Sequence, residues 1–280
     1  MTYILYNPLA NGRHGEQGLA AVREALAAES PQAVDVTKTD AAALLMGLTA
    51  EDKAVVCGGD GTIHRLVNGL EGKVPAVPVH VWRFGTGNDF LRDVTVDSDT
   101  PDAQSVLLND YIGNLPVVRV GDKTLRYLNG CSVGVDAVVC GMMEENRLAP
   151  KKSGYAATAL RSFFRRYKPM SGRVTVDGET RSYDRIWMAA SMNGRYQGGG
   201  MKFAPGQDRT GDTLFCMVWH GTTPLGTLLR FPFVIPGKHT GFPFCDIRIG
   251  REITVELDEP TMIQLDGEVM DGVTGYTARK

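Results

Sequence analysis

The sequence predicts an α/β domain over residues 1–115 followed by a β-rich domain over residues 116–280. Three observations carry this. Up to about Leu115, short Val/Ile/Leu-rich segments alternate with stretches of helical periodicity, the pattern of a parallel sheet covered by helices. Beyond Leu115, strand-like segments follow one another across turn signals such as Val120-Gly121-Asp122 and Asp177-Gly178. A chain of 280 residues is also long enough to build two cores.

In order along the first part, Ile4-Leu5-Tyr6 reads as a strand, followed by the loop Asn7 to Gly15 and a helical stretch through Leu19, Val22 and Leu26. Val34 to Val36 is a short strand, and Asp40 to Leu48 an Ala/Leu-rich helix. Ala54 to Cys57 is a buried-type strand that runs into Gly58-Gly59-Asp60-Gly61-Thr62. Ile63, Leu66, Val67 and Leu70 then fall at i, i+3, i+4 and i+7, one face of a helix. Val77 to Trp82 is a further strand, ending at the loop Arg83 to Asn88. In the second part, strands are expected at 117–120, 173–176, 185–190, 214–219, 246–249 and 253–257. Helices are expected at Gly154 to Tyr167 and Leu225 to Phe231.

Composition removes several functions. A net charge of −2 lacks the basic footprint of a nucleic-acid binder. No apolar run approaches the ~20 residues of a spanning helix, and Met1 to Pro8 lacks the pattern of a signal peptide. The five cysteines form no CxxC pair, so a reducing, cytoplasmic setting without a zinc site or disulfide framework is expected. The histidines lack metal spacing, and no Gly-x-Ser-x-Gly nucleophile elbow is present.

The loops at the strand ends carry the chemistry. In an open α/β sheet, ligands sit at the carboxyl ends of the strands, where free N–H groups of the following helices favour phosphate. Gly58 to Thr62 is such a loop. An acid within it repels phosphate unless a cation intervenes, so Asp60 is better suited to Mg²⁺; the alternative is a turn in which it caps the helix. Asn7-Pro8-Leu9-Ala10-Asn11-Gly12-Arg13 and Gly85-Thr86-Gly87-Asn88-Asp89-Phe90 follow two other strands, the second again with an acid.

Taken in order, Asn7-Pro8, Gly58-Gly59-Asp60-Gly61-Thr62 with Val67-Asn68-Gly69-Leu70, and Gly85-Thr86-Gly87-Asn88-Asp89-Phe90 resemble the signature of the diacylglycerol kinase catalytic family, which includes sphingosine kinases and bacterial soluble lipid kinases. The resemblance continues through Gly134-Val135-Asp136-Ala137, Gly198 to Pro205, Gly237-Lys238-His239 and Gln264-Leu265-Asp266-Gly267-Glu268. It implies a nucleotide-binding α/β domain, a C-terminal β-sandwich and an active site in the cleft between them. It implies ATP as cosubstrate beside Asn7, Pro8, Leu9, Ala10, Asn11, Gly12, Thr39, Gly58, Gly59, Asp60, Gly61, Thr62, Thr86 and Asn88. Glu268 then takes the role of general base toward a lipid hydroxyl, and Asp60, with Asp89, organises Mg²⁺. Without the resemblance, Glu268 is a solvated hairpin residue.

Four departures stand out. His64-Arg65 replaces the family's usual Asn-Glu; Arg65 is either a phosphate ligand or a solvated helix residue. Arg83-Phe84 stands where proline is common. The family's Asp-Asp-Gly-Leu, part of a structural Mg²⁺ site, becomes Asp208-Arg209-Thr210-Gly211-Asp212-Thr213-Leu214, leaving Asp208 and Asp212 as the candidate ligands. Twelve residues follow Glu268, fewer than is usual. The expected partner is a lipid substrate at a membrane surface, reached peripherally, with a homodimer left open. Arg161 to Lys168 mixes aromatics with cations, as interfacial helices do, and as packed helices with solvated arginines also do. Phe231, Phe233, Phe242 and Phe244 line an acyl pocket or belong to the core. Kinases of soluble acceptors such as NAD, and nucleotide- or lipid-binding homologues without turnover, are the competing readings.

Overall fold

The computed structural model describes residues 1–10, 15–83, 88–95, 104–148 and 167–280, with 146–148 as main chain only. Asn11, Gly12, Thr86, most of the helix expected at Gly154 to Tyr167 and most of the cationic segment from Arg161 lie outside these. The chain divides into two compact units, Met1–Leu115 and Pro116–Lys280.

The first unit is built on a sheet of order β2-β1-β3-β4-β5. Strands β1 (Thr2–Tyr6), β2 (Gln32–Asp35), β3 (Lys53–Cys57) and β4 (Val79–Trp82) run parallel. Helix α1 (Gly15–Ala25) lays Leu19 and Val22 on Ile4, Val55 and Cys57. Helix α2 (Ala41–Gly47) starts where the Asp40 carboxylate accepts the Ala43 N–H at 3.0 Å. Helix α3 (Asp60–Gly69) follows β3 directly and buries Ile63, Leu66 and Val67, the face read from the spacing. Helix α4 (Asp89–Thr95) places Phe90 in full burial, edge-on to Tyr111. The sheet is mixed rather than all parallel, because β5 (Ser105–Leu107) pairs antiparallel with β4. Three residues with no clear alternation gave no strand signal. A short helix, α5 (Asn109–Ile112), closes the unit.

The second unit is antiparallel, in the order β13-β12-β11-β8-β14-β15-β6-β7, with β9 beside β14 and β10 beside β9. Its strands are β6 (Val117–Val120), β7 (Lys123–Arg126), β8 (Gly130–Gly134), β9 (Met170–Val176), β10 (Glu179–Ile186), β11 (Met188–Met192), β12 (Leu214–Trp219), β13 (Cys245–Gly250), β14 (Glu252–Leu265) and β15 (Glu268–Arg279). Helix α6 (Val135–Leu148) follows β8, and α7 (Pro224–Arg230) follows β12. The core gathers Tyr127, Val133, Val174, Ile186, Val218, Val255 and Ile263 from many strands.

The single strand expected at 185–190 is two. Arg185 takes φ 51°, the register shifts between Tyr183 and Ile186, and β11 begins after Trp187. Strand β14 outruns the expected 253–257. It continues past Pro260 with irregular register between Glu256 and Thr261, the kind of place where a residue without an N–H is tolerated. Its first half pairs with β9 and its second with β8. Strand β8 is buried along its whole length and carries no alternation to betray it. All five cysteines are free thiols.

Candidate active site

Within the first unit, the described parts of the three loops are linked by side chains. Asn7, at the end of β1, donates from Nδ2 to Thr62 Oγ1 at 3.3 Å and accepts the Leu9 N–H at 2.9 Å. Gly58 lets this happen: a Cβ there would lie 2.6 Å from Thr62 Cβ, closer than real contacts allow. Gly59 accepts the N–H groups of Thr62 and Ile63, opening α3. The Asp60 carboxylate then crosses to the third loop, accepting the Asp89 N–H at 2.7 Å and the Phe90 N–H at 3.1 Å. Asn88 caps the same helix by accepting the Leu91 N–H at 2.8 Å. Asp60 therefore has a structural duty in any event; it straps the start of α3 to the start of α4.

Beside these loops lies a cavity of about 470 Å³, in the usual range for small-ligand sites. Leu5, Val56 and Leu66 give it an apolar floor; Asn7, Thr37, Thr39, Thr62 and Arg65 supply polar groups at its wall. Of the two readings of Arg65, the structure places it on this wall, within an exposed residue position. Asp35 at the neighbouring strand end is held below the usual carboxylate range, chiefly by hydrogen bonds from Thr37.

In the second unit, the other expected catalytic residue stands at a tight turn. Asp266 and Gly267 adopt φ values of 51° and 94° between β14 and β15, as a two-residue Asp-Gly hairpin turn requires. Glu268 follows, half-buried, paired with Leu265. The turn is anchored from two sides. Asp266 accepts the N–H groups of Leu128, Asn129 and Gly130 at 2.7, 2.8 and 3.2 Å. Gln264, 1% exposed, accepts the Gly267 N–H at 2.9 Å and donates to Ser132 and, at 3.3 Å, to Asp136.

Asp136 sits at the start of α6 with its Oδ1 shut off from water. Burial pushes it up to about 6, against the opposing pull of hydrogen bonds from Ser132, Gln264 and main-chain N–H groups. Gln264, Ser132 and Asp136 carry positions that residue-type reasoning alone leaves silent. The two family motifs quoted above contain Asp136 and Gln264, their only sequence signal, and Ser132 lies in neither.

The cation expected at Asp208 and Asp212 does not fit this structure. Asp208 Oδ1 accepts the Thr210 N–H at 2.9 Å and hydroxyl at 2.7 Å, which hold it below its ordinary range. Asp212 pairs with Arg251. Between them Arg209 turns inward, 6% exposed, and donates to the Leu128 carbonyl at 3.1 Å and Asn129 Oδ1 at 2.9 Å. The Lys280 ammonium donates to the Arg209 carbonyl at 2.8 Å and is held down to about 8 by burial and by Arg209. Protein cations thus occupy this corner. Among the described residues no three His, Cys, Asp or Glu side chains gather as a metal site. At Asp60 and Asp89 the chemistry is different, since a Mg²⁺ carried in on phosphates needs only one or two protein carboxylates.

Both halves match known families. Residues 1–120 match the diacylglycerol kinase catalytic domain, and residues 129–278 the YegS C-terminal NAD kinase beta sandwich-like domain. A Bacillus subtilis protein named "Putative lipid kinase YtlR" is 25% identical over 239 residues, 80% of this chain and 76% of its own. A Staphylococcus carnosus protein named "Putative lipid kinase" is 30% identical over 149 residues, 53% of this chain but only 47% of its own. The crystal structure titled as a "putative diacylglycerol kinase" from Bacillus anthracis superposes with a TM-score of 0.68 at 21% identity, over 99% of this chain and 93% of that one. At that identity the likeness concerns the fold. With family matches over both of its units, the chain belongs to the diacylglycerol kinase catalytic-domain family with a YegS-type C-terminal domain, a family of kinases.

Proposed function

We propose that this protein transfers the γ-phosphoryl group of ATP to the hydroxyl of a diacylglycerol-like lipid at a membrane surface. The observation that carries this reading is the pairing of Asn7 with Thr62 on the wall of a cavity of nucleoside size, with Asp60, two residues before Thr62, tying the start of α3 to the start of α4. In the proposed reaction, the main chain at Gly58 to Thr62 and Gly85 to Asn88 cradles the phosphates, and the cavity by Thr39 takes the base. Bound Mg²⁺ would neutralise charge developing on the phosphates, with Asp60 and Asp89 orienting it. Glu268 steers and deprotonates the attacking alcohol, the part left for protein groups when transfer is largely positioning and electrostatics. The anchoring of its turn by Asp266 and Gln264 suits that task, because a base must be held within hydrogen-bond reach of its proton. The name carried by the Bacillus subtilis relative points to a lipid acceptor.

A second reading, a nucleotide-binding homologue without turnover, is favoured by Arg65 on the cavity wall and by the unsuitability of Asp208 and Asp212 as cation ligands. Radiolabelled ATP offered with a panel of lipids in mixed micelles, and with NAD as the soluble control, separates these readings. Label in a lipid supports the first. Label in NAD alone refutes it, and binding without transfer to either establishes the second.

A further inference from the structure

Helix α7 turns only part of its apolar surface inward, Leu228 packing on the core. Thr227 is its buried residue, 1% exposed, with its hydroxyl against that of Thr222 at 2.5 Å. Leu225 and Leu229, one turn apart, face outward at 58% and 64% exposure. The chain then continues through the 3-10 turn Phe231–Val234, where Val234 is buried while Phe233 and Ile235 remain outside at 45% and 58%. Water disfavours this arrangement, since a surface helix ordinarily turns its apolar stripe to the core. Single exposed apolar residues are unremarkable, yet here four large ones fall within eleven positions of one another.

Along the chain, the charge of this segment has one sign. From Thr213 to Cys245 the sequence contains no Asp or Glu, while Arg230 and Lys238 are present. Arg230 spreads over the Phe244 ring, 5.3 Å from its centroid. Lys202, whose N–H meets the Val234 and Ile235 carbonyls, adds a third cation. Outward leucine, phenylalanine and isoleucine with a rim of cations is the composition of an interfacial segment.

We propose that residues 224–238 form a docking face for an anionic lipid bilayer, with Leu225, Leu229, Phe233 and Ile235 entering the headgroup region and Arg230, Lys238 and Lys202 meeting lipid phosphates. This rests on the lipid-kinase reading for its purpose, though not for its physics. Docking would bring the enzyme to an acceptor that does not leave the membrane.

The test is co-sedimentation of the full chain with vesicles of phosphatidylcholine alone and of phosphatidylcholine mixed equally with phosphatidylglycerol. Wild type is expected on the mixed vesicles. The variant Leu225→Ser/Leu229→Ser/Ile235→Ser should partition at least about tenfold less. Arg230→Gln/Lys238→Gln should lose about fivefold per cation at low salt and less at high salt. Because all these side chains are exposed, melting curves should stay near wild type. Phosphorylation of a short-chain, water-soluble diacylglycerol keeps the two proposals apart. If the triple variant retains that activity while losing vesicles, both stand. If no lipid is phosphorylated but vesicle binding still depends on this face, docking stands and the kinase reading falls. Unchanged vesicle binding by the triple variant overturns the docking face, as does absence of binding by wild type. A change from dimer to monomer with vesicle binding intact also overturns it, and assigns the face to a second copy.

Discussion

Replacing Asp60 by Asn keeps the side chain's size and removes one of its acceptors. In the folded protein its two oxygens take the Asp89 N–H at 2.7 Å and the Phe90 N–H at 3.1 Å. An amide offers one oxygen, so one of those N–H groups would face an NH₂ group instead. Hydrogen bonds to a charged group contribute ~1.5–3 kcal/mol, and a carboxylate at a helix N-terminus adds ~0.3–1 kcal/mol. The expected loss is therefore about 2–4 kcal/mol. At roughly 4 °C per kcal/mol for a unit of this size, Asp60→Asn should melt about 8–16 °C lower. The assay is thermal unfolding by circular dichroism, without nucleotide or Mg²⁺, beside an ATP titration of the same preparation. A melting temperature within about 2 °C of wild type, with turnover abolished, would refute the strap and leave Asp60 with a purely chemical role.

Three other outcomes are expected. Glu268→Gln should bind ATP as wild type does and lose at least ~100-fold in kcat, the lower range for a general base; initial rates with the lipid found in the micelle panel check it, and a wild-type kcat removes Glu268 from the mechanism. Asp136 gives a pH signature: burial raises its folded pKa to about 6 from an ordinary 3.8, so between those values the native state binds more protons and stability falls as pH rises. Asp136→Asn should flatten that segment of the wild-type curve in urea titrations from pH 4 to 7, and an unchanged slope would place the proton elsewhere. Finally, EDTA should leave the melting temperature of the ligand-free protein unchanged, because Asp208 and Asp212 are engaged by Thr210 and Arg251; a fall on chelation, restored by Mg²⁺, would show a structural cation after all.

The parts of the fold legible in the sequence were those whose signal is local. The face of α3 followed from Ile63, Leu66 and Val67, and the Asp-Gly turn before Glu268 from residue types that accept left-handed φ. What escaped was set at long range. β8 is buried on both sides, so its five residues show no alternation. β5 exists only because β4 offers it an edge. The inward turn of Arg209, in a stretch read as acidic, depends on acceptors at Leu128 and Asn129 some eighty residues earlier. Asp60 was open between cap and cation on sequence grounds, since spacing cannot reveal that Asp89 and Phe90 present their N–H groups to it. Family motifs singled out Asp136 and Gln264; only their packing shows what they hold.

The anchoring of the Glu268 turn also has a temporal side. Asp266 reaches its main-chain partner at Leu128 across 138 positions of sequence, and β14, which delivers it, pairs along one edge with β9 and then β8 and along the other with β15. During synthesis, the α/β unit has all its strands in hand while this central strand has yet to emerge. Domains fold as units from the N-terminal side, and distant pairings form slowly. A nascent chain would thus acquire the loops that follow β1 and β3 first and the Asp266-Gly267 turn last. Until β14 arrives, β8 and β9 each present an unfilled edge. That interval is when this protein is most open to mispairing, and a chaperone acting on it would be guarding two unpaired strand edges.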